Sequence, residues 1–223
     1  VHVVLTGRRE DVGKRAVAEL TEDGGSASFV VADMDSPESI TALFDSVLAE
    51  YGRLDYAVNN AGLANETLTI ADADPVKFQE MLSTNVTGLF LCLQREIKEM
   101  LASGRGGAIV NLASIAGLNG MPYSGPYAAT KHAVAGLTKT AGLEYSSQGV
   151  RVNAVAPGAI KTDLIARSIS LGQYDEDAII AMHPIGRMGL PREIAEGIVW
   201  LLSDKASFVA GAILNIDGGF QAK

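Results

Sequence analysis

Cysteine is nearly absent from these 223 residues: Cys92 is the only one, so no internal disulfide can form. It lies in the apolar run "GLFLCLQ", where a buried and inert thiol is expected. Basic residues are also scarce. The formal charge of -8 leaves no broad positive face for a phosphate backbone or an anionic bilayer, which excludes nucleic acid and membrane surfaces as partners. No apolar run is long enough to span a bilayer, and the first residues mix Thr, Gly and Arg with Val and so do not form a signal peptide. A soluble, cytoplasmic protein is expected. Internal repeats, linkers and low-complexity tracts are missing, and no metal site is expected.

What is present is a repeating alternation of Val-, Ile- and Ala-rich runs with longer segments of helical periodicity. That pattern predicts one α/β domain over residues 1–223, a parallel sheet covered by helices on both faces in three layers. Six strands are read: "VHVVLT" (1–6), "SASFVVA" (26–32), "LDYAVN" (54–59), "GAIVNLA" (107–113), "VRVNAVA" (150–156) and "AILNID" (212–217). Ser36 and Pro37 open a helix that Gly52 closes, Asp74 and Pro75 open a long one ending near Gly104, and Pro191 opens the last. From Thr162 to Met188 the periodicity fails, which predicts a flap over a site with no strand of its own.

Ligands of open parallel sheets sit beyond the carboxyl ends of the strands. The residues found there are "GRR" (7–9), "DMD" (33–35), "NAG" (60–62), "SIAG" (114–117), "PGAIKT" (157–162) and "GGF" (218–220). Tyr127 stands one helical turn before Lys131 in "YAATK", so both side chains project from one helix face. A free phenol, with a pKa of about 10, is a poor base at neutral pH, and a fixed cation beside it favours the phenolate. Ser114, at the end of an apolar strand, can offer a second hydroxyl at the same sheet edge to grip a carbonyl or alcohol oxygen. Asn85, inside a long helix, costs helical stability unless its amide is used.

"NNAG" after one strand, Asn85 in the next helix, Ser114 in "IVNLASIAG", "YAATK" and "VNAVAPG", in that order, resemble the short-chain dehydrogenase/reductase family of nicotinamide-dependent enzymes. The resemblance runs from Val1 to about Phe220. It implies a doubly wound, Rossmann-like fold and hydride transfer between the cofactor and a small carbonyl or secondary alcohol. Tyr127 would be the acid/base, Lys131 would lower its pKa and bind the nicotinamide ribose, Ser114 would orient the substrate oxygen, and Asn85 would hold a water linking Lys131 to solvent. Asp33 and Met34 would meet the adenine, while Asn59, Ala61 and Gly62 would line the adjoining ribose and support the sheet. Pro157, Gly158, Ile160 and Thr162 would face the nicotinamide. NAD-preferring relatives carry an acid at the tip of the strand matching "VHVVLT"; this chain has Gly7 and then Arg8 and Arg9, so NADP is expected over NAD, with Arg8 as the main contact.

The resemblance also implies a preceding strand, glycine-rich turn and helix that this sequence lacks, so the chain is read as a fragment that begins on the family's second strand. If so, "VHVVLT" and "LDYAVN" should lie about 9 to 10 Å apart, two strand spacings, without pairing. Leu63 to Glu66, Leu118 to Tyr123 and the flap are candidates to line the substrate pocket. The family branch suggested holds 3-oxoacyl-carrier reductases, sugar dehydrogenases and cyclic alcohol dehydrogenases, with Gln148 and the acidic surface weighing against the first. A homotetramer pairing the helices near 75–103 and 125–146 is implied. Rival readings are a catalytically silent nucleotide-binding regulator or scaffold, and a serine hydrolase on Ser114; the second lacks a histidine in a convincing motif and a nucleophile elbow.

Overall fold

In the computed structural model, residues 1–222 are described except Leu171, Gln173 and Tyr174. Among these described residues six strands, β1 (His2–Gly7), β2 (Ser26–Val31), β3 (Tyr56–Asn59), β4 (Gly107–Leu112), β5 (Val150–Pro157) and β6 (Ile213–Ile216), are all parallel to their partners. They match the six runs read from sequence, with β3 and β6 shorter at their ends. The strands form two sheets, β1-β2 and β3-β4-β5-β6. As expected, β1 and β3 are not paired.

Among the described residues eight α-helices connect them: α1 (Glu10–Glu22), α2 (Pro37–Tyr51), α3 (Pro75–Leu82), α4 (Leu89–Ala102), α5 (Gly125–Tyr145), α6 (Asp163–Ser170), α7 (Glu176–Ala181) and α8 (Pro191–Leu202). The boundary signals act as the sequence suggests. The Ser36 hydroxyl accepts the Ser39 N–H at 3.1 Å to cap α2, and Gly52, with φ of 69°, ends it in a left-handed turn. Asp74 caps α3. The long helix expected from 75 to 104 is broken by a π-helical stretch, Ser83–Gly88, between α3 and α4. An extra residue per turn there turns the buried Asn85 inward, a feature common at functional sites.

The core lies around β4 and β5. Ile109, Val110, Val150, Val152, Ala154 and Val155 are fully buried, packed by α4 and α5 on one face and by α8 on the other. A continuous apolar strand needs cover on both sides, and the helices supply it. The β1-β2 pair is joined to this body chiefly through α2, whose Ile40 and Phe44 pack with Cys92 of α4. Cys92 is buried as expected, and burial pushes its thiol up to about 12. Among the described residues no helix is long and apolar enough to cross a membrane.

The flap read over 162–188 contains two helices, α6 and α7, and its end is tied down. Gly189 N–H donates to Ala159 O at 2.9 Å, Lys161 N–H to Gly189 O at 2.8 Å, and Ile185 N–H to Gly218 O at 3.0 Å.

Candidate active site

At the carboxyl end of β4 the chain extends through Ala113 to Ser114, whose hydroxyl accepts the Ala116 N–H at 3.1 Å and caps a short 3-10 turn, Ile115–Gly117. That bond uses one lone pair and leaves the hydroxyl proton for another partner. The turn packs directly on α5, because a Cβ at Gly117 would lie 2.6 Å from Lys131 O. Ser114 is thereby carried toward the helix that holds Tyr127 and Lys131.

Lys131 is 4% exposed. Its Nζ donates to Leu112 O at 2.6 Å and lies 5.7 Å from the centre of the Tyr127 ring. Burial lowers the Lys131 pKa to about 8, since a low-dielectric site disfavours the charged amine. The ammonium still prevails at neutral pH, and its proton comes off above about 8. Tyr127, in the first turn of α5, is half-buried.

Asn85 and Gly62 close the arrangement. The Asn85 Oδ1 accepts the Leu63 N–H at 2.6 Å, and its Nδ2 donates to Leu63 O at 2.8 Å and to Thr130 Oγ1 at 3.0 Å. The amide therefore fixes the turn after β3 against α5. A Cβ at position 62 would stand 3.5 Å from Lys131 Nζ and 3.6 Å from Asn85 Oδ1. Gly62 therefore lies in van der Waals reach of the amine and the Asn85 amide.

The remaining predicted residues divide. Ala61 and Gly62 are exposed, and Gly62 lies beside the amine. Gly158, Ile160 and Thr162 follow Pro157 at the end of β5, with Thr162 accepting the Ile165 N–H at 3.5 Å as it leads into α6. Asp33 sits after β2, accepting the Asp35 N–H at 3.0 Å, while Met34 turns its sulfur to within 3.6 Å of Cys92. Arg8 is exposed at the tip of β1 and forms no ion pair among the described residues. Asn59 points elsewhere: its Nδ2 donates to Glu96 Oε2 and to Asn111 Oδ1, both at 2.9 Å, beneath the sheet. Of its two expected roles, the side chain serves the support of the sheet.

Three contributors escape a reading by residue type. Thr130 lies inside "YAATK" and meets Asn85, and the backbone carbonyl of Leu112 holds Lys131. Glu96, in the ordinary-looking "LQREIKEM", is buried, and desolvation raises its pKa to about 7. Its signal was a helical period that aims it at the core with Leu93 and Met100.

Tyr127 and Lys131 stand on α5 and Ser114 at the carboxyl end of β4, and the fold that carries them has relatives. A family model described as enoyl-(acyl carrier protein) reductase matches residues 1–221. The chain belongs to the short-chain dehydrogenase/reductase family. It is 41% identical over 221 residues to a 2,5-dichloro-2,5-cyclohexadiene-1,4-diol dehydrogenase of Sphingobium indicum, covering 99% of this chain and 87% of that one. Among solved structures, ElxO with NADP bound superposes with a TM-score of 0.93 at 36% identity, over 100% of this chain and 89% of that one. An NAD+-bound xylitol dehydrogenase gives a TM-score of 0.92 at 31% identity, over 98% and 88%. The fold is thus the Rossmann-like α/β fold of this family, and its members are NAD(P)-dependent oxidoreductases of alcohols and carbonyls.

Proposed function

We propose that this oxidoreductase interconverts a small carbonyl compound and its secondary alcohol with Tyr127 as acid/base. One observation carries the assignment: the buried Lys131 amine lies beside the Tyr127 ring, held by Leu112 O at the end of the strand that leads to Ser114. An ammonium so placed favours the phenolate, so the phenol can give its proton to a forming alkoxide in reduction and take it back in oxidation. The Ser114 hydroxyl donates to the same substrate oxygen and orients it. A bound nicotinamide supplies or accepts the hydride.

Lys131 has three N–H donors, one of which is engaged by Leu112 O. The others serve the cofactor ribose and a proton path. Asn85 supports that path by fixing the Leu63 turn and Thr130 around the amine, and the water expected there would lie on its open side. Asp33 and Met34 meet the adenine, Ala61 and Gly62 line the ribose with Asn59 bracing them from below, and Pro157, Gly158, Ile160 and Thr162 face the nicotinamide. Arg8 is the residue for the additional phosphate of NADP, and Gly7 offers no carboxylate to repel it. The NADP-bound relative supports this preference and the NAD+-bound one marks the alternative.

A homotetramer is the assembly we favour. Between α4 and α5 lies an apolar hollow of about 400 Å³ walled by Val86, Phe90, Ala133 and Leu137, with Phe90 44% exposed. Such a face suits pairing across a two-fold axis. The test of function is turnover of a panel of ketones and secondary alcohols with NADPH and NADH. Turnover by the wild type and none by Tyr127→Phe are expected; undiminished turnover by the variant would overturn the role of the phenol.

A further inference from the structure

His183 is one of three histidines in the chain and belongs to none of the motifs that carry the family resemblance. It is 3% exposed and forms a wall of a cavity of about 140 Å³ at the carboxyl ends of β5 and β6. Its Nδ1 lies 2.8 Å from Ile179 O, and its Nε2 lies 3.0 Å from Ala159 N. A carbonyl oxygen only accepts and a backbone N–H only donates. The ring must therefore carry its proton on Nδ1 and offer the bare Nε2 to Ala159.

The surroundings hold that arrangement. A Cβ at Gly158 would come within 2.6 Å of Nε2, so the ring sits directly beneath the turn that follows β5. The Phe220 ring backs the imidazole at 5.8 Å between centres. The charged groups lining the same cavity are engaged with other partners. Arg187 forms a two-pronged pair with Glu193 at 2.9 and 2.6 Å, and the hydrogen bonds from Arg187 hold the Glu193 carboxyl down at about 2. The Asp217 carboxylate accepts the Gly219 and Gln221 N–H groups.

We propose that His183 is a positioning residue for the nicotinamide end of the cofactor: by accepting the Ala159 N–H it fixes the Gly158–Ile160 backbone from the side opposite the nicotinamide. The inference rests on the proposed function, which puts Pro157, Gly158, Ile160 and Thr162 against that ring. It adds a residue that touches neither cofactor nor substrate. Lys161 N–H and Gly189 N–H stitch the same segment to the tied-down end of the flap. His183 extends this stitching to Ala159, so that the turn after β5 is held both by Gly189 and by the residue that follows α7 and Met182.

Two substitutions separate the two hydrogen bonds. In His183→Asn the amide nitrogen can keep the bond to Ile179 O while the acceptor for Ala159 is lost; in His183→Gln the side-chain oxygen reaches the place of Nε2. Each variant of the purified full-length protein is titrated calorimetrically with NADPH and with 2′,5′-ADP, which lacks the nicotinamide half. Hydrogen exchange of the Ala159 amide is followed in the unliganded proteins. His183→Asn is expected to raise the Kd for NADPH about tenfold, the worth of one buried hydrogen bond, with that for 2′,5′-ADP unchanged. His183→Gln should regain most of the loss, and Ala159 should exchange faster only in the Asn variant.

Equal behaviour of the two variants, or proportional weakening of both ligands, would overturn the assignment. Should the Asn variant fail to fold, 15N shifts of His183 in the wild type decide: a proton on Nδ1 with Nε2 responding to NADPH and not to 2′,5′-ADP supports it, and a proton on Nε2 refutes it. A wild type that binds neither ligand would sink the cofactor reading as well, whereas binding of both without the split sinks only the role of His183.

Discussion

Strands β4 and β5 and strands β1 and β2 are all short, largely apolar runs, yet they stand in different surroundings. In β4 and β5 almost every residue is buried, each strand is paired on both edges, and helices cover both faces. In β1 and β2 none is fully buried, and each strand pairs only with the other. The comparison teaches where precision is built. Ser114, Tyr127 and Lys131 depend on the sealed half, where a shift of one side chain is resisted by close packing. Arg8 and Asp33 follow β1 and β2, which are less closely packed, and in the proposed reading they meet the distant end of the cofactor. Substitutions of Ser114 and Tyr127 should act on kcat, and those of Arg8 and Asp33 on cofactor affinity.

Tyr127→Phe gives the sharpest form of that contrast. Loss of the acid/base should lower kcat by roughly 10² to 10⁴ while the Kd for NADPH stays near that of the wild type. Steady-state kinetics together with a binding titration check it, and a lost affinity with intact kcat would erase the distinction between the halves.

Glu96→Gln probes the sealed half by stability. Burial raises the Glu96 pKa from 4.5 to about 7, so between those values the folded protein keeps a proton that the unfolded chain releases. Stability from this group is present at low pH, falls as pH rises through that window, and is gone above about 7. A glutamine does not titrate and can still accept from Asn59. The variant should match the wild type near pH 4.5 and exceed it by up to ~3 kcal/mol at pH 8, measured by urea unfolding.

Arg8→Ala addresses the peripheral half. Removal of a charge-assisted bond to phosphate should raise the KM for NADPH roughly tenfold to a hundredfold and leave that for NADH, and kcat with either, nearly unchanged. A higher kcat/KM of the wild type with NADH than with NADPH would refute the preference. Ser36→Ala, which strips the cap from α2, is the smallest of the four at about 1 kcal/mol. Its local signature is faster amide exchange in β1 and β2 than in β4 and β5, and uniform exchange would show that the two halves unfold as one.

Much of this was legible in the residues because each signal acts locally. Alternation of apolar runs with helical periods fixes the order of strands, Ser36, Asp74 and Gly52 mark helix ends by their own chemistry, and the four-residue spacing of Tyr127 and Lys131 needs no tertiary knowledge. Ser114 and Asn85 became meaningful only through their order with the other motifs. What stayed hidden depends on contacts between distant segments. No spacing announces that Asn59 turns to Glu96, 37 residues on, or that His183 meets Ala159, 24 residues earlier. The π-helical stretch at Ser83–Gly88 was also silent, since its propensities are those of any helix.

The most direct test of the proton-transfer site is isotope transfer in a single turnover. A cyclic secondary alcohol deuterated at its carbinol carbon is mixed with NADP and excess protein, and the cofactor is analysed by mass spectrometry. Deuterium in the reduced nicotinamide with the wild type, and none with Tyr127→Phe, is the predicted result. Transfer that is equally fast in both proteins would contradict the assignment of the phenol as the group that moves the proton.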